Sequence, residues 1–67
     1  VDLIIEQNGM LFPVEFKKGA TLRKDDIKSF SALRQFKMPV GLGALIGLYP
    51  QTVQFTDECV AIPATFL

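Results

Sequence analysis

The chain has 67 residues, enough for one small domain, and its seven basic and seven acidic residues give a formal net charge of zero. The absence of histidine and the single cysteine, Cys59, exclude a histidine-based catalytic triad and a disulfide framework, and they argue against a zinc site. The longest apolar run, residues 40–49, is too short for a spanning helix, which needs about 20 residues, and no secretory signal is visible. These features favour a cytoplasmic domain.

Two segments of alternating polarity, residues 1–7 and 10–17, predict a pair of antiparallel strands. They flank Asn8-Gly9, which is typical of a two-residue type I′ turn because both residues tolerate a positive φ. Such a turn pairs Gln7 with Met10, and continuing the register sets Asp2 opposite Glu15. Pro13 donates no hydrogen bond in the ladder, so it predicts an edge, a bulge or a neighbour that needs no donor there.

The rest of the chain predicts one helix and three more strands. Residues 24–36 read as a helix with apolar side chains at every third position, with acids in its first turn, and with Met38-Pro39 as its end. Residues 40–49 predict a strand buried on both faces, and residues 52–55 and 59–62 predict two further strands. The order ββαβββ predicts an α/β fold in a single domain, residues 1–67: a small mixed sheet of four or five strands with one helix packed on it.

The predicted hairpin places two carboxylates, those of Asp2 and Glu15, on facing positions. Like charges there are destabilising unless a cation lies between them or one is protonated. A divalent ion such as Mg²⁺ is the simplest solution, because it prefers carboxylate oxygens and water. Lys17 lies on the same face, two residues beyond Glu15. The alternative is an ordinary exposed strand pair, Glu15 and Lys17, with Asp2 as a solubilising acid.

Asp2, followed thirteen residues later by Glu15-Phe16-Lys17 at the ends of two paired strands, resembles the D…ExK signature of the PD-(D/E)xK nuclease superfamily. The wider pattern is similar to one group of that superfamily. This group is the C-terminal nuclease-like domain, formerly of unknown function, of bacterial and archaeal AAA-type ATPases. The apolar residues around Asp2, the sequence before Lys17, the following helix and the final Ala61-Ile62-Pro63 carry this resemblance.

The resemblance implies a restriction-endonuclease-like core and a metal-dependent endonuclease that uses Mg²⁺ or Mn²⁺. Asp2, Glu15 and the backbone carbonyl of Phe16 would hold the metal, and Lys17 would orient or activate the attacking water and stabilise charge on the phosphate. It also implies an upstream ATPase domain in the parent chain and a domain truncated at its N-terminus, because the helix that usually precedes Asp2 is not in the sequence.

Several alternatives stay open on the sequence. A basic group around the helix start could hold DNA phosphates or simply solubilise the helix surface: Lys18, Arg23, Lys24 and Lys28. The same fold could also be a catalytically inactive module for DNA docking or protein assembly, including a homo-oligomer. Gly41 and Gly43 lack the third glycine of a dinucleotide loop, so they indicate close packing of a helix on a strand. Cys59 is expected in the core.

Overall fold

A computed structural model describes residues 1–66, so Leu67, the last residue of the predicted domain, lies outside the described residues. The elements are β1 (Leu3–Gln7), β2 (Met10–Phe16), a 3₁₀ helix (Lys24–Phe36), β3 (Gly43–Gly47), β4 (Val53–Thr56), β5 (Cys59–Pro63) and a final 3₁₀ turn (Ala64–Phe66). The strands form one five-stranded sheet of order β1-β2-β3-β5-β4, in which β1/β2 and β4/β5 are antiparallel and β2/β3 and β3/β5 are parallel. The prediction of a small mixed α/β fold with one helix is confirmed.

The hairpin has the predicted turn and register. Asn8 and Gly9 have φ values of 54° and 76°, the positive values that a type I′ turn requires. The ladder pairs Gln7 with Met10 and continues to Leu3 opposite Val14. Strand β1 begins at Leu3, so Asp2 lies one residue before the strand rather than within it.

Pro13 lies inside the sheet, between β1 and β3, and the structure shows how the sheet tolerates it. On the β1 side it pairs with Ile4. On the β3 side the parallel ladder is interrupted at Pro13: Leu11 makes an isolated bridge to Val40, and regular pairing resumes at Val14. The break in the parallel ladder thus falls at the residue that has no amide hydrogen to donate.

The helix spans the predicted residues, Lys24–Phe36, but it is a 3₁₀ helix throughout. A 3₁₀ helix has three residues per turn, so side chains three apart lie directly above one another. The apolar side chains have that spacing and form a straight stripe along the helix: Ile27, Phe30, Leu33 and Phe36. Lys37 ends the helix in the left-handed region, with φ at 57°, and its amide donates to the Arg34 carbonyl at 3.4 Å.

The prediction for residues 40–49 was wrong in length and in burial. Strand β3 covers only Gly43–Gly47, and its odd-numbered residues are buried while Ala44 and Ile46 are half-buried. The reason is that the helix covers one face of the sheet. A Cβ atom on Gly43 would lie 2.6 Å from the Phe30 ring, so glycine is required for this close approach, as the sequence indicated.

The core lies between the sheet and the helix. Leu45, Tyr49, Cys59 and Ala61 form its centre, and four partly buried side chains pack against them: Leu22, Ile27, Phe30 and Phe55. The expectation that Cys59 is a core residue is confirmed. Within residues 1–66, no helix is long and apolar enough to cross a membrane.

The other side of the sheet, here called the open face, has no helix packed on it among the described residues. By strand alternation it presents the residues that point away from Gly43 and Phe30. Leu3, Ile5 and Phe16 remain nearly half exposed there. The open face comprises the apolar residues Leu3, Ile5, Phe12, Val14, Phe16, Ala44, Ile46, Val60 and Ile62 and, on the two edge strands, Gln7 and Gln54.

Candidate functional site

Asp2 is bound to the main chain of the neighbouring strand. Its amide donates to the Val14 carbonyl at 3.1 Å, which extends the hairpin by one bond beyond the ladder. Its carboxylate Oδ2 accepts a hydrogen bond from the Phe16 amide at 2.8 Å. Asp2 is therefore held beside the Glu15-Phe16-Lys17 segment by two contacts, although it lies outside the strand.

Glu15 lies near the carboxyl end of β2, opposite Leu45 of β3, and is half-buried. Its Oε1 atom lies 3.4 Å from the ammonium of Val1. That distance is within ion-pair range, but the ammonium makes its hydrogen bond to Ser29 Oγ, and Oε1 accepts none from residues 1–66. A buried carboxylate oxygen without a hydrogen bond is costly, which makes this atom the least satisfied acceptor of the predicted site.

Lys17 directly follows β2, and its partner is an acid that the sequence analysis did not place in the site. The Lys17 Nζ lies 3.0 Å from Asp26 Oδ1, in the first turn of the helix. The hydrogen bond to Asp26 raises the pKa of Lys17 above its ordinary value; partial desolvation opposes this, and the charges of Asp26 and Glu15 add to it. The charge of Glu15 thus acts on Lys17, but the ion pair of Lys17 is formed with Asp26.

The oxygen set around Glu15 fits a hard divalent cation. Two carboxylates and a backbone carbonyl, those of Asp2, Glu15 and Phe16, are hard donors of the kind Mg²⁺ and Mn²⁺ accept together with water. The unsatisfied Oε1 of Glu15 is the atom that would gain most from a cation. Among residues 1–66, no three acidic, cysteine or histidine side chains converge, so only two side chains would contribute to such a site.

The predicted basic group lies on the exposed side of the helix start. All four residues are exposed, and Arg23 immediately precedes the helix. Lys28 lies 3.6 Å from Asp25, in a pair whose side chains are both more than four-fifths exposed. Such a pair contributes little to stability and leaves the lysine available to solvent ions. The group therefore consists of solvated basic residues close in sequence to Lys17, namely Lys18, Arg23, Lys24 and Lys28.

Two further ionisable groups, Tyr49 and Cys59, lie behind Lys17 in the core. Burial raises the pKa of the Tyr49 hydroxyl; the Asp26 charge raises it further, and the Lys17 charge opposes this. Burial also raises the pKa of the Cys59 thiol, with a smaller opposing contribution from a backbone hydrogen bond at Leu45. Both groups are therefore held neutral by the fold.

These raised pKa values predict a loss of stability at alkaline pH. In the unfolded chain the thiol and the phenol ionise near their ordinary values of 9.0 and 10.0, whereas the folded protein keeps both protons to higher pH. As the pH rises, the unfolded state therefore releases these protons before the folded state does. The contribution of both groups to the free energy of unfolding is fully present below pH 9 and decreases as the pH rises above 9.

Urea unfolding at a series of pH values measures this decline. Cys59→Ala is expected to remove the part that begins near the thiol pKa, and Tyr49→Phe the part that begins near the phenol pKa. If the free energy of unfolding falls with pH as steeply in both variants as in the unaltered chain, groups other than Cys59 and Tyr49 cause the fall.

The geometry can now be compared with known proteins. The model of a family described as "Domain of unknown function (DUF4143)" matches residues 1–67. The chain belongs to the DUF4143 family. No curated protein and no solved structure shows significant similarity to it.

In this DUF4143 domain, sequence reasoning missed two residues near Lys17. The sequence indicates for Asp26 only that an acid in the first helical turn interacts favourably with the helix dipole. For Tyr49 it indicates only that the residue ends the apolar segment 40–49. The signal that could have found Asp26 is its position one turn into a helix that follows Lys17 by a short loop. Tyr49 has no comparable local signal, because its location depends on the parallel pairing of β3 with β2.

Proposed function

We propose that this DUF4143 domain is a metal-dependent nuclease-like domain that acts on or binds DNA through Asp2, Glu15 and Lys17, as part of a AAA-type ATPase. The observation that carries the proposal is the buried Oε1 of Glu15, which accepts no hydrogen bond and whose charge partner is the Val1 ammonium at 3.4 Å, while the Asp2 carboxylate binds the amide of the adjacent Phe16. The D…ExK spacing of the sequence also supports it.

The residues of the site would divide the work of phosphodiester hydrolysis. Asp2, Glu15 and the Phe16 carbonyl would hold a Mg²⁺ or Mn²⁺ ion, which when bound lowers the pKa of a water ligand and neutralises phosphate charge. The Lys17 ammonium would donate to a phosphate oxygen and stabilise the charge that develops as water attacks phosphorus. The water would give up one proton as its oxygen bonds to phosphorus, one P–O ester bond would break, and the leaving oxygen would take up a proton.

The surrounding surface would guide the substrate. The solvated positive surface formed by Lys18, Arg23, Lys24 and Lys28 adjoins Lys17 on the chain and extends along the exposed helix start. Lysine and arginine side chains that neutralise phosphates give sequence-independent and salt-sensitive binding. With a net charge of zero, the domain would rely on this local surface rather than on a general attraction to DNA.

Titration calorimetry with Mn²⁺ tests the metal site directly. Glu15→Gln is expected to weaken Mn²⁺ binding by about 100-fold or more, because loss of a direct ligand should exceed the roughly 10–100-fold effect of an outer-shell change. Glu6→Gln is the matched control, since Glu6 lies on the same hairpin, exposed and opposite Leu11. Equal binding by Glu15→Gln and the unaltered chain, or no binding at millimolar Mn²⁺, would refute the proposed metal site.

The open face favours a second candidate function, a catalytically inactive assembly module. Most side chains of this face are apolar, and the chain has no net charge that would drive two copies apart. Two open faces could pack as a sheet-on-sheet interface between two copies of the domain.

Sedimentation velocity over a range of concentrations tests this self-association. Phe16→Ser, on the open face, is expected to convert a dimer to a monomer. Phe36→Ser, which alters an equally exposed phenylalanine at the helix end, should leave the dimer unchanged. A monomer at every concentration of the unaltered chain would eliminate the second candidate.

A further inference from the structure

The two acids in the first helical turn have different surroundings. Asp25 pairs with Lys28 at 3.6 Å, and both side chains are more than 80% exposed. Asp26 pairs with Lys17 at 3.0 Å, with exposed fractions of 14% for Asp26 and 32% for Lys17. A short contact between charged groups that are mostly shielded from water is stronger and better defined than an exposed pair. Asp26 therefore restrains its lysine, whereas Asp25 does not.

The main chain on both sides of the Lys17–Asp26 contact is fixed. The Lys17 amide donates to the Ile46 carbonyl at 2.8 Å, which continues the pairing of β2 with β3. The following loop is tied down where the Leu48 amide donates to the Gly19 carbonyl at 2.9 Å. The Asp26 amide donates to the Arg23 carbonyl at 3.0 Å and so fixes the helix start. With both backbones held, the ion pair sets the direction of the long lysine side chain.

Tyr49 adds a third polar group to this contact. It follows β3, just as Lys17 follows β2, so both residues lie at the carboxyl end of parallel strands, where open α/β sheets bind ligands. Its side chain is only 5% exposed, and its hydroxyl has no hydrogen-bond partner among residues 1–66. The charges of Asp26 and Lys17 both act on this hydroxyl. The phenol is thus a buried polar group without a hydrogen bond, and it feels the charges of the ion pair.

We propose that Asp26 is a positioning residue that holds the Lys17 ammonium at the carboxyl end of β2, away from a direct contact with Glu15. This inference rests on the proposed function. Without Asp26, the flexible lysine would be free to pair with the carboxylate of Glu15, whose Oε1 accepts no hydrogen bond and has the Val1 ammonium at 3.4 Å. That pairing would neutralise the metal-binding acid and remove the ammonium from the phosphate. Asp26 would thus keep the two functional charges of the ExK segment apart.

Detection of the Lys17 side-chain ammonium by ¹⁵N NMR tests the positioning without any need for activity. An ammonium held in an ion pair exchanges its protons more slowly than a solvated one and gives an observable signal. The signal is expected in the unaltered chain, in Asp25→Asn and in Asp26→Glu, which restores the charge. In Asp26→Asn the signal should move to a new chemical shift, because the lysine then pairs with Glu15, and it should be lost in the double variant Asp26→Asn/Glu15→Gln. An unshifted signal in Asp26→Asn would overturn the inference. The backbone amide spectrum of Asp26→Asn shows whether the variant is folded, which separates a change in the ion pair from unfolding.

Kinetics separate positioning from a merely structural role. In Mn²⁺-dependent DNA cleavage, Asp26→Asn is expected to lower kcat by about 10–100-fold with little change in KM, as for other residues that orient a functional group. Asp25→Asn should behave as the unaltered chain. Equal kcat in Asp26→Asn and Asp25→Asn would overturn the inference. If the unaltered chain neither binds Mn²⁺ nor cuts DNA, the proposed function fails, and the ammonium signal alone decides whether Asp26 positions Lys17.

Discussion

Lys17→Ala is expected to reduce Mn²⁺-dependent DNA cleavage by about 10²–10³-fold, the usual cost of removing one group that stabilises transition-state charge. Lys17 lies beyond the end of β2, and no carboxylate oxygen of Asp2 or Glu15 depends on it for a hydrogen bond among the described residues. Its removal should therefore leave Mn²⁺ affinity nearly unchanged while the rate falls. Plasmid nicking and calorimetry on the same preparation measure the two effects.

The control for Lys17→Ala removes a lysine elsewhere without straining the backbone. Lys37 ends the helix in the left-handed region with φ at 57°, a conformation that asparagine accepts more readily than alanine. Lys37→Asn thus loses the same charge far along the chain from the ExK segment, and its cleavage rate should match that of the unaltered protein. If both variants cut DNA at the unaltered rate, Lys17 has no catalytic role.

Leu45→Ala is expected to lower the free energy of unfolding by about 2–5 kcal/mol, because it deletes a fully buried side chain at the centre of the core. Leu45 lies in the middle strand of the sheet, paired with Glu15 on one side and Ala61 on the other. A small domain has a total stability of about 5–15 kcal/mol, so this one change should remove a large share of it.

Chemical denaturation measures this loss, and Leu48→Ala provides the matched control. Leu48 follows the same strand and is 64% exposed, so its truncation should change the unfolding free energy by only a few tenths of a kcal/mol. Similar midpoints for the two variants would mean that the core does not lie where the structure places it. The same measurement also establishes whether a nuclease variant is inactive because it is unfolded.

The sequence by itself determined the elements whose rules are local. Asn8-Gly9 dictates its turn, because few other residues accept two consecutive positive φ values, and the turn then dictates the register from Gln7–Met10 to Leu3–Val14. The helix followed equally directly from apolar residues at every third position and from the Met38-Pro39 stop. Its 3₁₀ form agrees with that period of three, although the sequence analysis did not specify the helix type.

Only the tertiary structure decided which side chains meet and which face of the sheet is covered. The apolar segment 40–49 predicted burial on both faces, but polarity cannot tell whether a covering layer is present, and one layer leaves Ile46 half-exposed. Likewise, the hairpin register predicted that Asp2, Glu15 and Lys17 form one group. In the folded chain, Lys17 forms an ion pair with Asp26, and the Asp2 carboxylate accepts a hydrogen bond from the Phe16 amide. The physical reason is that such contacts depend on how the helix start and the parallel strands approach one another, and no local sequence rule specifies that distance.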